Sequence, residues 1–444
     1  MAIKNMTERD KKINSLLDFV QRSPTPWHAT DKLVNLLQEK GFKELKPTEE
    51  WTSPGAGKYY IVNHHAGIAA LTLSGLPLED TGLRVAGAHT DSPCLKVKPN
   101  PARQRNNMLQ LVVEVYGGPL LATWFDRDLS LAGRITWLDT TGALQTGLVN
   151  FKRPVAVIPS LAIHLDREAN KKKSINKQTD LVPLLLCPEE DLSFSNILKR
   201  QIAQEHPKAD IDTILGHDLF FYDAIKPARI GLEGDFLAGA RLDNLLSCYT
   251  LIDALCVAPA TENSLVILNP HEEVGSVSAA GAQGPFLSML LHRLQPETAK
   301  HMQMLSRSLL ISVDNAHAAH PNFIDKHDSE HLPLLNKGPV IKWNANQRYA
   351  TDAITGGFFR ALCRRAGIAA QDFVMRSDMA CGSTIGPLTA AETGIKTVDV
   401  GVPSLAMHSI RETVGCRDFL LLGDALQLFF SLDPKDTLWK GHQQ

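Results

Sequence analysis

The sequence has almost no net charge, no closely spaced pair of cysteines and no long uninterrupted apolar run. Its formal charge is -2 over 444 residues, so it has no overall basic field that would favour nucleic acid as a partner. The seven cysteines form no Cys-x-x-Cys pair, so neither a disulfide framework nor a structural zinc ribbon is indicated. We therefore expect a reducing compartment, the cytoplasm.

The apolar segments are too short, or too often interrupted by charge, to cross a bilayer. The most apolar are "LVPLLLC" and "FLLLGDALQLFFSL", and the polar start "MAIKNMTERDKKINSLL" lacks the apolar core of a signal peptide. We therefore expect no membrane partner. A chain of 444 residues also exceeds one ordinary hydrophobic core, which favours two domains.

Helix-like and strand-like segments alternate after about residue 236. "LDNLLSCYTLIDALCVA" precedes "SLVILN", and "TGGFFRALCRRAGI" precedes "DFVMRSD". This alternation predicts an α/β fold with a mixed, largely parallel sheet between helices. Residues 109–158 look instead like β-structure with regular turns, which predicts a β-rich insertion. The predicted domains are 1–92 with 236–444, and the insertion 93–235.

Histidine and acidic residues follow the predicted strands, where functional groups of an open α/β sheet collect. The segments are "VAGAHTDSP", "GARLDNL", "PHEEVGS", "SVDNAHAAHPN" and "PSLAMHSIRE", and the candidates are His89, Asp91, Asp243, Glu272, Glu273, Asp314 and His408. Each residue alone is more often a structural, hydrogen-bonded residue. Together they form a mixture of imidazoles and carboxylates that suits Zn²⁺ or a similar divalent ion.

The adjacent carboxylates of Glu272 and Glu273 follow an apolar strand, "LVILNP", and precede a run of small residues. Neighbouring like charges repel, and burying either one unpaired is costly. A solvent-exposed loop would avoid that cost, but the flanking residues look buried. Nearby cations would also avoid it, because one glutamate could ligate a metal while the other takes a proton from water.

These motifs, together with "IPSLAIHLDRE", "GPVIKWNANQRYATD" and "CGSTIGP", resemble the M18 family of metallo-aminopeptidases, the aspartyl aminopeptidase group. They occur in the family's order from about residue 20 to 430. The resemblance implies a zinc exopeptidase-like fold whose insertion is a dimerisation domain. It also implies peptide substrates with a free N-terminus, a preference for N-terminal Asp or Glu, and a tetrahedral dodecamer built from dimers.

The resemblance further implies two divalent metal ions per subunit, most simply Zn²⁺. Asp243 would bridge the ions, His89 and Asp314 would bind one of them, and Glu273 and His408 would bind the other. Glu272 would be the general base for attack of activated water on the scissile carbonyl, and Asp91 would orient the His89 ring.

Three further residues have both a structural and a functional interpretation. His320 could pack locally, and Lys342 could be a solvent-facing strand residue; the resemblance implies that both bind substrate, with Lys342 contacting an acidic side chain. His164 could be a strand histidine satisfied within the insertion. The resemblance implies that it reaches the partner subunit's active site, contacting substrate or lying beside the metal.

Two other functions compete with the aminopeptidase. A different dinuclear hydrolase, such as a carboxypeptidase or deacylase, could use the same scaffold and ions. A non-catalytic shell or carrier protein could have kept the fold alone. The complete set of ligands and the base argue against the carrier, and the ordered motifs outside the metal site argue against the other hydrolases.

Overall fold

The computed structural model describes residues 7–51, 54–172, 174–187 and 193–443. The chain forms two compact units. The first runs to Asp91 and resumes at Pro227–Met407 and again from Glu412, and the second contains Ser92–Lys226 and His408–Arg411. The second unit therefore starts beside the predicted boundary at 93 and ends before the predicted 235.

The helices and strands of the described residues are numbered here in chain order. The helices are α1 (Glu8–Arg22), α2 (Pro26–Glu39), α3 (Leu78–Thr81), α4 (Phe194–Glu205), α5 (Leu242–Val257), α6 (Phe286–Leu294), α7 (Thr298–Arg307), α8 (Ala353–Arg365), α9 (Ile385–Thr393), α10 (Asp418–Phe430) and α11 (Thr437–Gly441). The strands are β1 (Lys43–Glu44), β2 (Gly57–Asn63), β3 (Gly67–Leu73), β4 (Arg84–His89), β5 (Cys94–Arg105), β6 (Met108–Tyr116), β7 (Leu129–Leu138), β8 (Leu144–Asn150), β9 (Leu184–Leu186), β10 (Thr213–Asp223), β11 (Ala228–Ile230), β12 (Phe236–Gly239), β13 (Ser264–Asn269), β14 (Leu309–Val313), β15 (Ala316–His317), β16 (Val340–Trp343), β17 (Gln371–Val374), β18 (Lys396–Gly401), β19 (Pro403–Leu405) and β20 (Glu412–Gly415).

The main sheet of the first unit has the order β1-β2-β3-β13-β4-β14-β18-β16-β17 in the described part of the chain. Its central strands β13, β4, β14 and β18 are parallel. Along β13, Val266 and Leu268 join one hydrophobic core, and Leu265 and Ile267 join another. Helices α5 and α10 contribute to the first core, and α6 contributes to the second. The predicted largely parallel sheet between helices is confirmed.

A smaller sheet of the first unit has the order β11-β12-β20-β19-β15 among the described strands. Strand β12 pairs with β20 from Phe236↔Gly415 to Gly239↔Glu412. The residues that follow Lys226 therefore belong to the first unit, because their strands pair there. This pairing explains why the second unit ends before residue 235.

The second unit contains an antiparallel sheet in the order β8-β7-β10-β5-β6-β9, and helix α4. Ser193 caps the N-terminus of this helix, and its side chain accepts a hydrogen bond from the Asn196 amide. Phe194, Leu198 and Ile202 are buried, at the helical spacing of four residues. The predicted β-rich insertion, 93–235, included no helix at this place, so α4 was not predicted. None of the helices among the described residues has the length and apolarity of a membrane span.

Candidate metal centre

His89 is the last residue of β4 and is almost completely buried. Its Nδ1 lies 3.0 Å from the backbone oxygen of Asp91. Since a carbonyl oxygen only accepts, Nδ1 donates in this hydrogen bond, and the ring directs Nε2 elsewhere. Nε2 lies 3.5 Å from Asp243 Oδ1 and 3.5 Å from Asp314 Oδ1. The ring is thus held with one nitrogen toward two carboxylates, the arrangement common in metal-binding histidines.

The two aspartates come from neighbouring segments of the first unit. Asp243 lies at the start of α5, where its amide donates to Glu412 Oε2 at 2.9 Å. Asp314 directly follows β14. Asn244, the residue after Asp243, donates a hydrogen bond from its side-chain Nδ2 to Val313 O at 2.8 Å. This hydrogen bond ties the start of α5 to the end of β14. Ligand atoms of His89, Asp243 and Asp314 all lie within 4.8 Å of one another.

Glu272 and Glu273 begin a single 3-10 turn after β13. The Asp91 carboxylate accepts a hydrogen bond from each of their amides, from Glu272 at Oδ1 and from Glu273 at Oδ2, both at 3.1 Å. Asp91 therefore positions both glutamates as well as the His89 ring. The contact joins residues about 180 positions apart, and no local pattern in the sequence indicates it.

The electrostatics of this group favour a bound cation. Burial lowers the pKa of His89, but hydrogen bonds with three aspartates outweigh burial and raise that pKa well above its ordinary value. Burial, together with the charges of nearby aspartates, raises the pKa of Glu272 to about 7, although the charge of His89 lowers it. Several carboxylates thus lie close to one imidazole. One imidazole nitrogen with carboxylate oxygens is a donor set that fits Zn²⁺.

His408 belongs to the short segment of the second unit, 408–411. Its Nδ1 lies 3.1 Å from Gly118 O, and its own carbonyl accepts from the Leu120 amide at 2.9 Å. Nδ1 therefore donates, which puts the lone pair of a neutral ring on Nε2. This is the tautomer in which histidine coordinates a metal through Nε2. The predicted role of His408 as a ligand stays a prediction.

His320 lines a cavity of about 270 Å³ in the first unit, together with His317, His327 and Phe373. His320 Nδ1 accepts from the Asn322 amide at 3.2 Å, so in the neutral ring Nε2 carries the proton. His317 packs its ring 5.5 Å from the ring of Phe373. His320 thus has a defined tautomer with an N–H donor, and its substrate role stays a prediction.

Lys342 lies on β16 and is only 1% exposed, so its interpretation as a solvent-facing strand residue is wrong. Its Nζ lies 3.3 Å from Asp314 Oδ2 and 3.3 Å from Asn315 O. β16 is an inner strand of a sheet with helices on both faces, so alternation along it does not lead to solvent. The ammonium group contacts a candidate metal ligand.

His164 lies in an exposed turn of the second unit, and not in a strand. The turn is closed by a hydrogen bond from the Leu165 amide to Ala162 O at 2.8 Å. Leu161, Ile163 and Leu165 around it are 59%, 47% and 74% exposed. The interpretation of a strand histidine satisfied within the insertion is therefore wrong about the strand. The exposed apolar neighbours are typical of a surface that contacts another protein.

Comparison with protein families and curated proteins gives one consistent result. The family model described as Aminopeptidase I zinc metalloprotease (M18) matches residues 19–430. The probable M18 family aminopeptidase 2 of Stutzerimonas stutzeri (strain A1501) is 52% identical over 425 residues, which cover 95% of this chain and 99% of that protein. The protein of the same name from Pseudomonas fluorescens (strain Pf0-1) is 51% identical over 426 residues, with coverages of 95% and 99%.

Solved structures give the same likeness. A chain in the cryo-EM structure of the Ape4 and Nbr1 complex has a TM-score of 0.91 at 35% identity, covering 97% of this chain and 87% of that chain. A chain of the mApe1 dodecamer from S. cerevisiae has a TM-score of 0.83 at 26% identity, with 98% of both chains covered. The similarity therefore extends over both units.

Proposed function

This chain belongs to the M18 family of metallo-aminopeptidases, which are hydrolases, and we propose that it hydrolyses the first peptide bond of peptides at the carboxylate-rich site around His89. The observation that carries the proposal is the group of His89 at the end of β4, Asp314 after β14 and Asp243 at the start of α5, whose ligand atoms lie within 4.8 Å of one another. Zinc is the ion that the family description names.

Glu272 is the general base of the proposed reaction. When bound, zinc acidifies a water molecule and polarises the scissile carbonyl. Glu272 Oε2 lies 3.9 Å from His89 Nε2, and its side chain is 16% exposed. A carboxylate there can accept a proton from water and return it to the leaving amine. Asp91 accepts hydrogen bonds from the Glu272 amide and from the His89 ring, so one residue positions both the proposed base and a proposed metal ligand.

A second ion is proposed on the family resemblance, with Asp243 shared between the two ions. Glu273 and His408 are the ligands that the resemblance assigns to it. The tautomer of His408 supports this assignment, since its Nδ1 donates to Gly118 O. A second divalent ion held by these residues would help to stabilise the charge that develops on the attacking and leaving atoms.

The proposed substrates are peptides with a free N-terminus and preferably an acidic first residue. The resemblance supports this preference, and His320, which has an N–H donor at Nε2 in its neutral ring, lines the cavity described above. Lys326 and Arg376 also line this cavity, but each pairs with an aspartate. Hydrogen-bond donors of the imidazoles would therefore contribute more to recognition here than an unpaired positive charge.

The proposed assembly is a tetrahedral dodecamer built from dimers, supported by the mApe1 dodecamer among the similar structures. We also propose that His164 contacts the partner subunit's active site, because it lies among exposed apolar side chains. A cytoplasmic location is proposed because each of the seven cysteines is a thiol and none forms a disulfide.

The function is tested with Asp-, Glu-, Leu- and Ala-amide chromogenic substrates, each with a free and with an acetylated α-amino group. We expect hydrolysis of the free forms only, with faster turnover of the acidic ones. Chelation should abolish activity, and added zinc should restore it. Cleavage of the acetylated forms would indicate another hydrolase, and no cleavage at all would indicate a carrier protein.

A further inference from the structure

His408 has an unusual backbone conformation. Its φ is 67°, in the left-handed region that residues other than glycine rarely adopt, and Ala406 two positions earlier has a φ of 55°. His408 follows β19 by three residues, at the point where the chain passes from the first unit to the second. Residues in such conformations persist only where the surrounding structure fixes them, and they concentrate at functional sites. The contacts that fix His408 are therefore of interest.

Hydrogen bonds with one loop of the second unit hold both the side chain and the backbone of His408. Its Nδ1 donates to Gly118 O at 3.1 Å, and its carbonyl oxygen accepts from the Leu120 amide at 2.9 Å. A ring and a carbonyl that are fixed on the same loop cannot rotate independently. The direction of Nε2, the other ring nitrogen, is thereby determined by the loop, as outer hydrogen-bond partners determine the orientation of metal-binding histidines.

The side chain of Thr123 connects this loop to the segment 408–411. Its Oγ1 donates to Leu120 O at 2.7 Å and accepts from the Ile410 amide at 3.1 Å. A hydroxyl group can donate and accept at once, and Thr123 uses both functions here. Ile410 itself is 3% exposed and belongs to the hydrophobic core of the second unit. The position of His408 thus depends on a side chain that is not a predicted ligand.

Arg411 anchors the end of the same segment. Its Nη1 donates to Lys226 O at 3.3 Å and lies 4.0 Å from Asp223 Oδ2. The Asp223 side chain is completely buried, and Arg127 Nη2 donates to the same oxygen at 2.6 Å. A buried carboxylate requires cationic partners, because leaving its charge uncompensated is costly. Arg411 therefore fixes the segment at a place where the second unit requires positive charge.

We propose that Thr123 and Arg411 are positioning residues of the second ion, because they hold His408 in a backbone conformation that it would otherwise rarely adopt. The inference rests on the proposed function, in which His408 is a ligand of that ion. It gives the second unit a role besides association, since this unit builds the support of a metal ligand in its own chain. Neither positioning residue has to contact zinc or substrate.

The test measures the affinities of both zinc ions by competition between the holoenzyme and a chromophoric chelator. Thr123→Val keeps the shape of the side chain but removes the hydroxyl group. Loss of an outer hydrogen-bond partner typically lowers metal affinity by about 10–100-fold. Because Thr123 acts on the ligand through the backbone, we expect a loss of about 10-fold, and for one of the two ions only. Thr123→Ser keeps the hydroxyl group and should have wild-type affinities for both ions.

The matched control is Thr136→Val. Thr136 is also half-buried in the second unit, and its hydroxyl group donates to a backbone oxygen, that of Gly216, at 3.4 Å. This contact joins β7 to β10, so both zinc affinities of the control should equal those of the wild type. Arg411→Met removes the second anchor and should weaken the same ion as Thr123→Val. If Thr123→Val does not fold, Arg411→Met decides by the same criteria.

Equal losses for both ions, or unchanged affinities in Thr123→Val and Arg411→Met, would overturn the proposal. A lower melting temperature with normal zinc affinities would also overturn it, since the two residues would then have a purely structural role. A wild type that binds only one zinc ion would contradict the proposed second ion, and the inference would fall with it. Two ions in the wild type without a selective loss in the variants would contradict the inference alone.

Discussion

At the scale of single residues, the centre depends on carboxylates whose two oxygens have separate partners. Asp91 divides its oxygens between the amides of Glu272 and Glu273. Asp314 divides them between His89 and Lys342. A side chain fixed at both oxygens has a single orientation, so little reorganisation is needed when a ligand or proton arrives.

Glu272→Gln should separate proton transfer from metal binding. The amide has the same size but does not accept the proton, so we expect kcat to fall by about 10²–10⁴-fold while zinc per chain stays at the wild-type value. The measurements are steady-state kinetics and elemental analysis of the same preparation. Asp243→Ala is the comparison and should lose zinc. A Glu272→Gln variant with near-normal kcat would contradict the assignment of the base.

The sequence was sufficient to predict which residues gather at the strand ends, because parallel strands bring their carboxyl ends to one edge of the sheet. It did not predict that Asp91 binds both glutamate amides, or that Lys342 is buried against Asp314. Both contacts depend on the order of strands in the sheet. Alternation within a four-residue strand such as β16 contains no information about that order.

At the scale of elements, helix α11 is anchored by buried aromatic residues. Trp439 is 0% exposed, its Nε1 donates to Thr81 O at 3.2 Å, and the Arg84 guanidinium lies 4.2 Å from its ring centroid. His442 follows the helix, with Nε2 3.2 Å from Arg307 O. Burial lowers the pKa of His442 to about 4. The packing of this segment therefore requires a neutral imidazole.

The stability of the protein should depend on pH through His442. The pKa is lower in the folded than in the unfolded chain, so the unfolded chain takes up the proton first as the pH falls. The stabilisation is complete above about pH 6.5 and is lost progressively toward pH 4, by up to about 3 kcal/mol for a shift of this size. The free energy of unfolding, measured with denaturant on chelator-treated protein at several pH values, tests this prediction.

His442→Gln should remove this part of the pH dependence. The control is His292→Gln, since His292 is exposed on α6; this variant should keep the wild-type slope between pH 6.5 and 4. Removing metal with a chelator before the experiment ensures that loss of zinc at low pH does not contribute to the measured change in the free energy of unfolding. An unchanged slope in His442→Gln would show that the acid sensitivity comes from other groups.

Strongly periodic elements were predicted well, and irregular ones were not. The helices at α5 and α8 and the strand at β13 match their sequence patterns. Helix α4 lies after the segment 109–158 that reads as β-structure, and no helix was predicted in the β-rich insertion that contains it. The segment 408–411 was assigned to the catalytic domain, because four residues have no periodicity that could indicate a change of unit.

At the scale of the whole molecule, the proposed assembly makes the active site a shared one. If His164 acts on the partner subunit, two inactive variants should complement each other. We expect a reassembled mixture of His164→Ala and Glu272→Gln to regain roughly a quarter of wild-type activity when subunits pair at random in two-fold dimers. Each variant, dissociated and reassembled alone, is the control.

No recovery, despite demonstrated exchange of subunits, would show that His164 acts within its own chain or not at all. Light scattering of the wild type measures the mass of the assembly. We expect about twelve times the 48.8 kDa of one chain, and a monomer at micromolar concentration would contradict the proposed dodecamer.

The second unit is discontinuous along the chain, and this has a consequence for how the gene can change. Residues 408–411 find their partners at Gly118, Leu120 and Thr123 inside the long insertion. Excising 92–226 would leave His408 without the carbonyl that fixes its tautomer. Recombination between relatives therefore cannot replace residues 92–226 alone, unless residues 408–411 still match the new insertion. The two stretches are expected to be inherited together, although about 180 codons separate them.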